Sequence, residues 1–551
     1  MDATPASLSA PPTSSPVPVG RIRHAALWAA LVGLLAFWVH AETLTYALTG
    51  FDTYPLILTS RVESVSDILD TFAEPMMEGR YPGGDFYRPT QQVLLALEGH
   101  LFGLQSAGYQ FNSLLLYCAT VLLTFGAAWR WGERSCVGPV VAASVLALHP
   151  SLLSVVPVVS RRVELYTIFF VLLSLLLFNR TGRKPTVWSL LATSVVGFLA
   201  LGSKETGILL FPMAVVQLMP PNGSFSSARR AGLLKGSGAL AVSLLAYLAL
   251  RTVALWHTTD GPFDVGGHHA GLPFTQMLPL LLEEAARHLF LPWAIFPTTA
   301  DSRTAIGLLL LIATLVIGSV IWFMSTSRNG SQLRGAGALA RMGVGWFGMS
   351  FVLTAFAGKF NPRYVPLMLV GVGLIWGAGA QWVLAWVAES PPAASLSNRV
   401  LIAGVGAATA VCVGASVWVS PAWTEYPEWR GASDLEFAFL DDLEEHLERS
   451  GAAVTYATQA PFMPIRGVHP PLYSHRPRVE NAVLLADWSL QAWAELRFPS
   501  RNIRVVDTRF DPTRSSEEGV QYVVFGWNPK GPQWQDLQPF AAVMQDAEGS
   551  K

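Results

Sequence analysis

The chain has 551 residues, 51% hydrophobic and 14% charged, with 37 Lys and Arg against 38 Asp and Glu for a net charge of -1. Soluble domains carry about 25% charged residues, so this composition excludes an ordinary soluble globular protein, and the near-neutral balance removes the basic field that would draw nucleic acid. With 19 Trp and 29 Phe among repeated apolar runs, the chain reads as a polytopic membrane protein.

Residues 1–20 are rich in Ala, Ser, Thr and Pro, too poor in apolar surface to offset the entropy of ordering, and read as a disordered cytoplasmic tail. Arg21, Arg23 and His24 precede an apolar stretch from Ala25 to Leu48. It is longer than a signal-peptide core, so a retained first span entering from the cytoplasm is expected. Further spans are expected near 108–129, 137–158, 164–178, 187–203, 206–219, 236–256, 303–325, 342–358, 364–388 and 399–420, about eleven in all by the length criterion. Alternation from a cytoplasmic start places Arg130/Arg134, Arg180/Arg183/Lys184, Arg229/Arg230/Lys235 and Arg328/Arg334/Arg341 in short cytoplasmic loops, as the positive-inside rule requires.

The expected organisation is therefore a transmembrane module over 21–420 with an extracytoplasmic loop at 49–107, and an extracytoplasmic domain at 421–551. In the first loop, Val62, Val65, Ile68, Leu69 and Phe72 have the spacing of an amphipathic helix on a membrane surface. The stretch from Pro279 to Phe296 has a similar pattern. Beyond residue 421, strand-like runs (Ala453 to Thr458, Ile503 to Val506, Val520 to Phe525) alternate with helical ones (Ser433 to Arg449, Ala482 to Leu496), predicting a small α/β domain. Its aromatic residues Trp488, Trp493, Trp527 and Trp534 fit either a docking face for acceptor or glycan or the domain's own core and membrane contacts. Cys118, Cys136 and Cys412 form no CxxC pair and predict neither a disulfide framework nor a zinc site.

Ionisable residues are costly near a bilayer unless paired or facing water. Here they gather at the expected outer ends of spans: Asp52 in GFDTY, Asp85, Tyr87 and Arg88 in GGDFYRPT, His149 in LHPS, Arg161, Arg162 and Glu164 in SRRVE, Lys204 and Glu205 in GSKETG, and Lys359, Arg363 and Tyr364 in GKFNPRYVP. Arg251, inside YLALRTVALW, is the exception, and it could face a cavity in an enzyme or in a transporter alike.

In this order these segments resemble the GT-C glycosyltransferases, and most closely their protein O-mannosyltransferase-like branch, which includes the transmembrane and tetratricopeptide-repeat mannosyltransferases and their bacterial relatives. The matching stretches are FYRPTQQVLLALEGHLFGLQSAGYQFNSLLLY, LALHPSLLSVVPVVSRRVELYTIFFVLLSLLLF, LGSKETGILLFP, YLALR around Arg251, and NPRYVPLMLVGVGL. They fall within residues 50–375, and the region after 421 lies outside the resemblance. The chain departs from the pattern in two places. Asp52 is followed by Thr53 rather than a second acid, and after the His149-Pro150 pair Ser151 and Ser154 stand where an acid is often found.

The resemblance implies a multi-pass plasma-membrane enzyme that moves a sugar from a polyprenyl-phosphate donor to a protein, lipid or glycan acceptor. It implies Asp52 as the general base, while a divalent cation, Mg or Mn, is a possible cofactor with no metal ligand assigned. Such a transfer needs positive charge on the departing phosphate, for which Arg363, Arg161, Arg162 and Lys204 are candidates, Arg being suited to phosphate by its planar fork. Glu205 and Glu164 are candidates to orient those cations, and Tyr364, Asp85 and Arg88 complete the set. The structural alternatives are a span-flanking acid for Asp52, an interface anchor for Arg363 and Tyr364, snorkelling cations for Arg161 and Arg162, and an ion pair closing a helical hairpin for Lys204 and Glu205. Asp85 and Arg88 fit a role in holding their loop together, and His149 a helix end. His268 and His269 have no third ligand nearby and carry no metal assignment. A transporter or flippase of lipid-linked glycans is the rival function, although charges at span ends rather than at the bilayer midplane favour the enzyme. The third alternative is a non-catalytic scaffold.

Overall fold

A computed structural model describes residues 19–50, 52–77, 86–219, 227–256, 274–290, 300–326, 331–356, 362–389, 426–450, 456–458, 487–501, 504–506 and 522–523. Long apolar segments become helices because in lipid every backbone amide must be satisfied within its own segment. Helix α1 (Val19–His40) runs into a 3-10 turn (Ala41–Thr45), and the short helices α2 (Thr53–Thr59) and α3 (Val65–Asp70) follow in the first loop. Next come α4 (Pro89–Phe102), α5 (Ser106–Trp131), α6 (Val137–Leu148), α7 (Val163–Thr181), α8 (Val187–Ser203), α9 (Leu210–Leu218) and α10 (Ser227–Leu255). The bundle continues with α11 (Phe274–Phe290), α12 (Ala300–Thr326), α13 (Ser331–Phe356) and α14 (Val365–Glu389).

Local signals set several boundaries. Helix α8 opens on a reciprocal capping box between Thr186 and Ser189, which satisfies two otherwise orphaned amides. It closes at Lys204, whose cation suits the negative end of the helix dipole. Helix α6 stops at His149 because Pro150 disfavours a helical conformation in the residue before it. The bundle core joins residues of α1, α5, α6, α7, α13 and α14, among them Ala36, Tyr117, Leu146, Leu172, Trp346 and Val370. Helices α6, α13 and α14 meet through small residues, since a Cβ on Gly371 would lie 2.6 Å from the Phe347 nitrogen and one on Gly373 would lie 2.7 Å from the Ala142 oxygen. Such close backbone approach substitutes packing for a hydrophobic force that lipid does not supply.

Among the described residues, seven helices are long and apolar enough to cross a membrane: Val19–Thr45, Ser106–Trp131, Val159–Thr181, Ser227–Leu255, Ala305–Ser325, Gln332–Phe356 and Val365–Trp386. Three of the other expected spans form shorter apolar helices, Val137–Leu148, Val187–Ser203 and Glu205–Leu218; the last two keep about their expected bounds, whereas the one expected over 137–158 stops at Leu148, ahead of His149-Pro150. The expected span at 399–420 lies outside the described residues.

After the bundle come α15 (Tyr426–Ser450) and α16 (Asp487–Arg497). The short strands β1 (Tyr456–Thr458), β2 (Arg504–Val506) and β3 (Tyr522–Val523) form a parallel sheet in the order β2-β1-β3. These helices and strands overlap the runs expected from sequence. The helices share one hydrophobic core with the first loop: Leu440, Leu443, Leu447, Leu490 and Trp493 pack with Leu48, Tyr54, Leu56, Ile57 and Met76. Trp493 is thus a core residue. Trp527 and Trp534, like Cys412, lie outside the described residues.

Candidate active site

The site begins where α1 ends. After the 3-10 turn residues 46–50 form a non-helical segment, and Gln110 of α5 fixes it by donating to the Ala47 and Pro157 carbonyls at 2.9 and 3.0 Å. Thr49 Oγ1 donates to the same Pro157 oxygen at 3.2 Å. Gly50 adopts φ +104°, and a Cβ there would lie 2.7 Å from Val158 Cγ1, so the position requires glycine. Half-buried Asp52 then occupies the N-cap of α2. Its carboxylate acts electrostatically on both Arg161 and Arg363.

Around Asp52 the cations arrive from separate elements. Arg161 precedes α7 and donates to the Ser154 carbonyl at 3.1 Å. Lys204, at the end of α8, pairs with buried Glu164 of α7 and stands 4.4 Å from the centre of the Tyr364 ring. Arg363, in a 3-10 turn (Pro362–Tyr364) ahead of α14, lies 5.4 Å over the same ring. Burial raises the Tyr364 phenol, but Lys204 and Arg363 outweigh it and hold the phenol below its ordinary range. For Arg363 burial acts against the charge, yet Tyr364, Glu164 and Asp52 keep the guanidinium above its ordinary value. A protonated Arg363 is thus secured at any working pH.

A second group adjoins the first. Arg88, at the N-cap of α4, donates through its NH2 group to Glu205 at 3.0 Å and through Nε at 3.4 Å, while its guanidinium lies 4.4 Å over the Phe86 ring. Arg251, in the last turns of α10, approaches Glu205 at 3.9 Å and donates to the Tyr247 hydroxyl at 3.4 Å. Arg363 and Glu164 act electrostatically on Arg88, which joins both groups into one field. Among the described residues, the cations Arg88, Arg161, Lys204, Arg251 and Arg363 outnumber the carboxylates Asp52, Glu164 and Glu205. That surplus of positive charge is what a phosphate ester would neutralise.

Arg162 stands apart from this cluster. It is completely buried and forms a two-pronged ion pair with Glu98 of α4 at 2.8 and 2.5 Å, with Tyr166 donating to the same carboxylate at 3.4 Å and Asn112 bonding to it as well. All prongs of this pair are spent on joining α4, α5 and α7. His149 is also structural in its contacts: its Nδ1 accepts from the Ser151 amide at 3.2 Å and its Nε2 lies 3.0 Å from the Leu289 carbonyl. Asp85 lies outside the described residues, as do His268, His269 and Lys359.

Sequence reasoning gave no weight to Glu98, which sits mid-helix in an apolar context and shows its role only through the partner that folding brings to it. Arg251 was noted but had no partner assigned, since Glu205 is far from it in sequence. Among the described residues no group of three or more His, Cys, Asp or Glu is arranged to hold a metal ion.

No family model matches the chain, and no curated protein matches it. Among solved structures it is similar to the crystal structure of ArnT from Cupriavidus metallidurans bound to undecaprenyl phosphate, with 16% identity, a TM-score of 0.39, and coverage of 86% of this chain and 76% of that one. The apo state of the same protein gives 17% identity and a TM-score of 0.39 over 86% of this chain and 77% of that one. The fold and the site together define a multi-pass helical membrane protein with a cluster of five cations and three carboxylates, Asp52 among them, at one end of its bundle.

Proposed function

We propose that the chain is a membrane glycosyltransferase of the GT-C type, moving a sugar, hexosyl or mannosyl in kind, from a polyprenyl-phosphate donor to an extracytoplasmic protein, lipid or glycan acceptor. The observation that carries this reading is Asp52 at the head of α2 within the field of Arg161 and Arg363, with Lys204 and Tyr364 beside them. The sequence resemblance to the O-mannosyltransferase-like branch supports the same donor class.

In the reaction the acceptor hydroxyl oxygen attacks the anomeric carbon, a new C–O bond forms, and the bond from that carbon to the phosphate oxygen breaks with its electron pair leaving on the phosphate. Asp52 takes the hydroxyl proton. Arg363, Arg161 and Lys204 stabilise the polyprenyl phosphate as it departs, and no general acid is required because the leaving group is a stable anion. Glu164 holds Lys204 and Glu205 holds Arg88 and Arg251, which keeps the cations in place when no donor is bound. The lipid tail would lie in the bilayer beside the site. The proposed orientation puts the N-terminus in the cytoplasm and the site and C-terminal segment outside, in the plasma membrane.

The test is sugar transfer by the purified, detergent-solubilised protein from a panel of polyprenyl-phosphate monosaccharides, with Asp52→Asn and a chelator in parallel. Transfer should fall by about 10²–10⁴ in Asp52→Asn with the melting temperature unchanged, and the chelator arm reports whether Mg or Mn takes part. If no donor is consumed while reconstituted vesicles move a lipid-linked sugar between leaflets, the transporter reading replaces this one.

A further inference from the structure

The segment that carries Asp52 is held from two sides. On one side it leans on Gln110 and Val158 of the bundle. On the other it meets α15, which is more than 380 residues away in sequence. Ser433, itself buried, accepts the Ala47 amide proton at 2.7 Å, five residues before Asp52. Glu436, also buried and one turn further along α15, accepts from the Tyr54 hydroxyl at 3.4 Å, two residues after Asp52. Arg430 pairs with Glu42 at 2.7 Å ahead of the turn. Leu440, Leu443 and Leu447 of α15 lie in the same apolar core as Leu56 and Ile57 of α2, which α2 shares chiefly with α16.

We propose that α15 is a positioning element of the site, with Ser433 and Glu436 as positioning residues that fix the 46–54 turn and so set where the Asp52 carboxylate points. The inference rests on the reading of Asp52 as the base. The physical case is that the turn is too short to hold itself: residues 46–50 are not in a helix, and an amide such as Ala47 N–H, buried and outside regular structure, must find a partner. The partner is a side chain of the C-terminal segment. A buried carboxyl such as Glu436 is likewise costly without one, and the Tyr54 hydroxyl supplies it. Both bonds tie α15 to backbone or side chain within five residues of Asp52. A general base tolerates little misplacement, because proton transfer needs hydrogen-bond reach to the acceptor hydroxyl.

The experiment uses the full-length protein in lipid nanodiscs and two readouts. Hydrogen exchange of the peptide spanning residues 46–54 reports the turn without any substrate, and steady-state transfer reports kcat and the donor KM. Ser433→Ala and Glu436→Ala should each speed exchange of that peptide about tenfold or more, lower kcat by about tenfold and leave the donor KM within twofold. Glu436→Gln, which keeps an acceptor for Tyr54, should restore both readouts, a rescue that general loss of folding would not allow. If exchange in 46–54 is unchanged in the Ala variants, or if it rises while kcat stays at the wild-type value, α15 does not position Asp52 and the proposal is overturned. Wild-type protein that transfers no sugar from any donor would instead sink the glycosyltransferase reading and with it this role of α15, and normal exchange effects in that case would mark α15 as a structural clamp only.

Discussion

At the level of single side chains, the site separates groups that sequence puts on an equal footing. Arg161 and Arg162 are neighbours, yet the first shares the field of Asp52 and Arg363 while the second is committed to Glu98. Breaking a buried pair from one side leaves an uncompensated charge, so Glu98→Ala should destabilise the protein by about 3–5 kcal/mol, read as a large drop in melting temperature in detergent. Replacing both partners with apolar residues of like volume should recover most of that loss. Arg363→Lys keeps the charge and loses the fork, so it should raise the donor KM more than it lowers kcat, and a kcat-only effect would remove Arg363 from the phosphate. Gly50→Ala forces a Cβ against Val158 at a φ of +104°. It should cost about 1–3 kcal/mol of local strain and lower transfer by displacing the Asp52 turn, and unchanged kinetics would show that the turn has slack.

Among the elements, α15 carries a titration of its own. Burial pushes the Glu436 carboxyl from 4.5 up to about 8, against a smaller pull from the Tyr54 hydrogen bond. The docked helix therefore holds more protons than the undocked one between those two values, and linkage makes docking strongest at or below about pH 4.5 and progressively weaker as pH rises towards about 8. Melting temperature should fall across that window in the wild type and be nearly flat there in Glu436→Gln. A wild-type profile as flat as the variant's would show Glu436 to be solvated. The helix contacts are legible in part: the long apolar runs give α1, α5, α7, α10, α12, α13 and α14, and the run at 187–203 coincides with α8, but the span expected over 137–158 passes through Pro150, ahead of which α6 stops. What periodicity does not give is which small residues meet, as Gly373 meets Ala142, since many glycines in apolar helices are equivalent until packing selects among them. A Gly373→Leu substitution should accordingly cost far more stability than Gly126→Leu, whose added Cβ meets nothing within 4 Å.

Across the protein, the two ends of the bundle differ in kind. One end carries Asp52, Arg88, Arg161, Lys204, Arg251 and Arg363, and the other carries Arg130 bonded to Asn179 at 3.2 Å and Arg334 facing Glu133 at 3.7 Å. In the proposed orientation, which follows the positive-inside rule, the second end would face the cytoplasm. Single-cysteine labelling with a membrane-impermeant reagent should then reach an exposed position such as Phe437 from outside the cell, and a position beside Arg183 only after permeabilisation. The reverse pattern would invert the topology. The sequence by itself determined that the chain lives in lipid, where its helices run, and which charged residues collect at one end, because hydrophobic length and loop charge are local properties. Only the tertiary structure decided that Arg162 belongs to Glu98, that Arg88 and Arg251 share Glu205, and that α15 bonds Ala47 and Tyr54 on either side of Asp52. Those pairings join residues from tens to hundreds of positions apart, and a charge shows its partner only once packing has brought the two together.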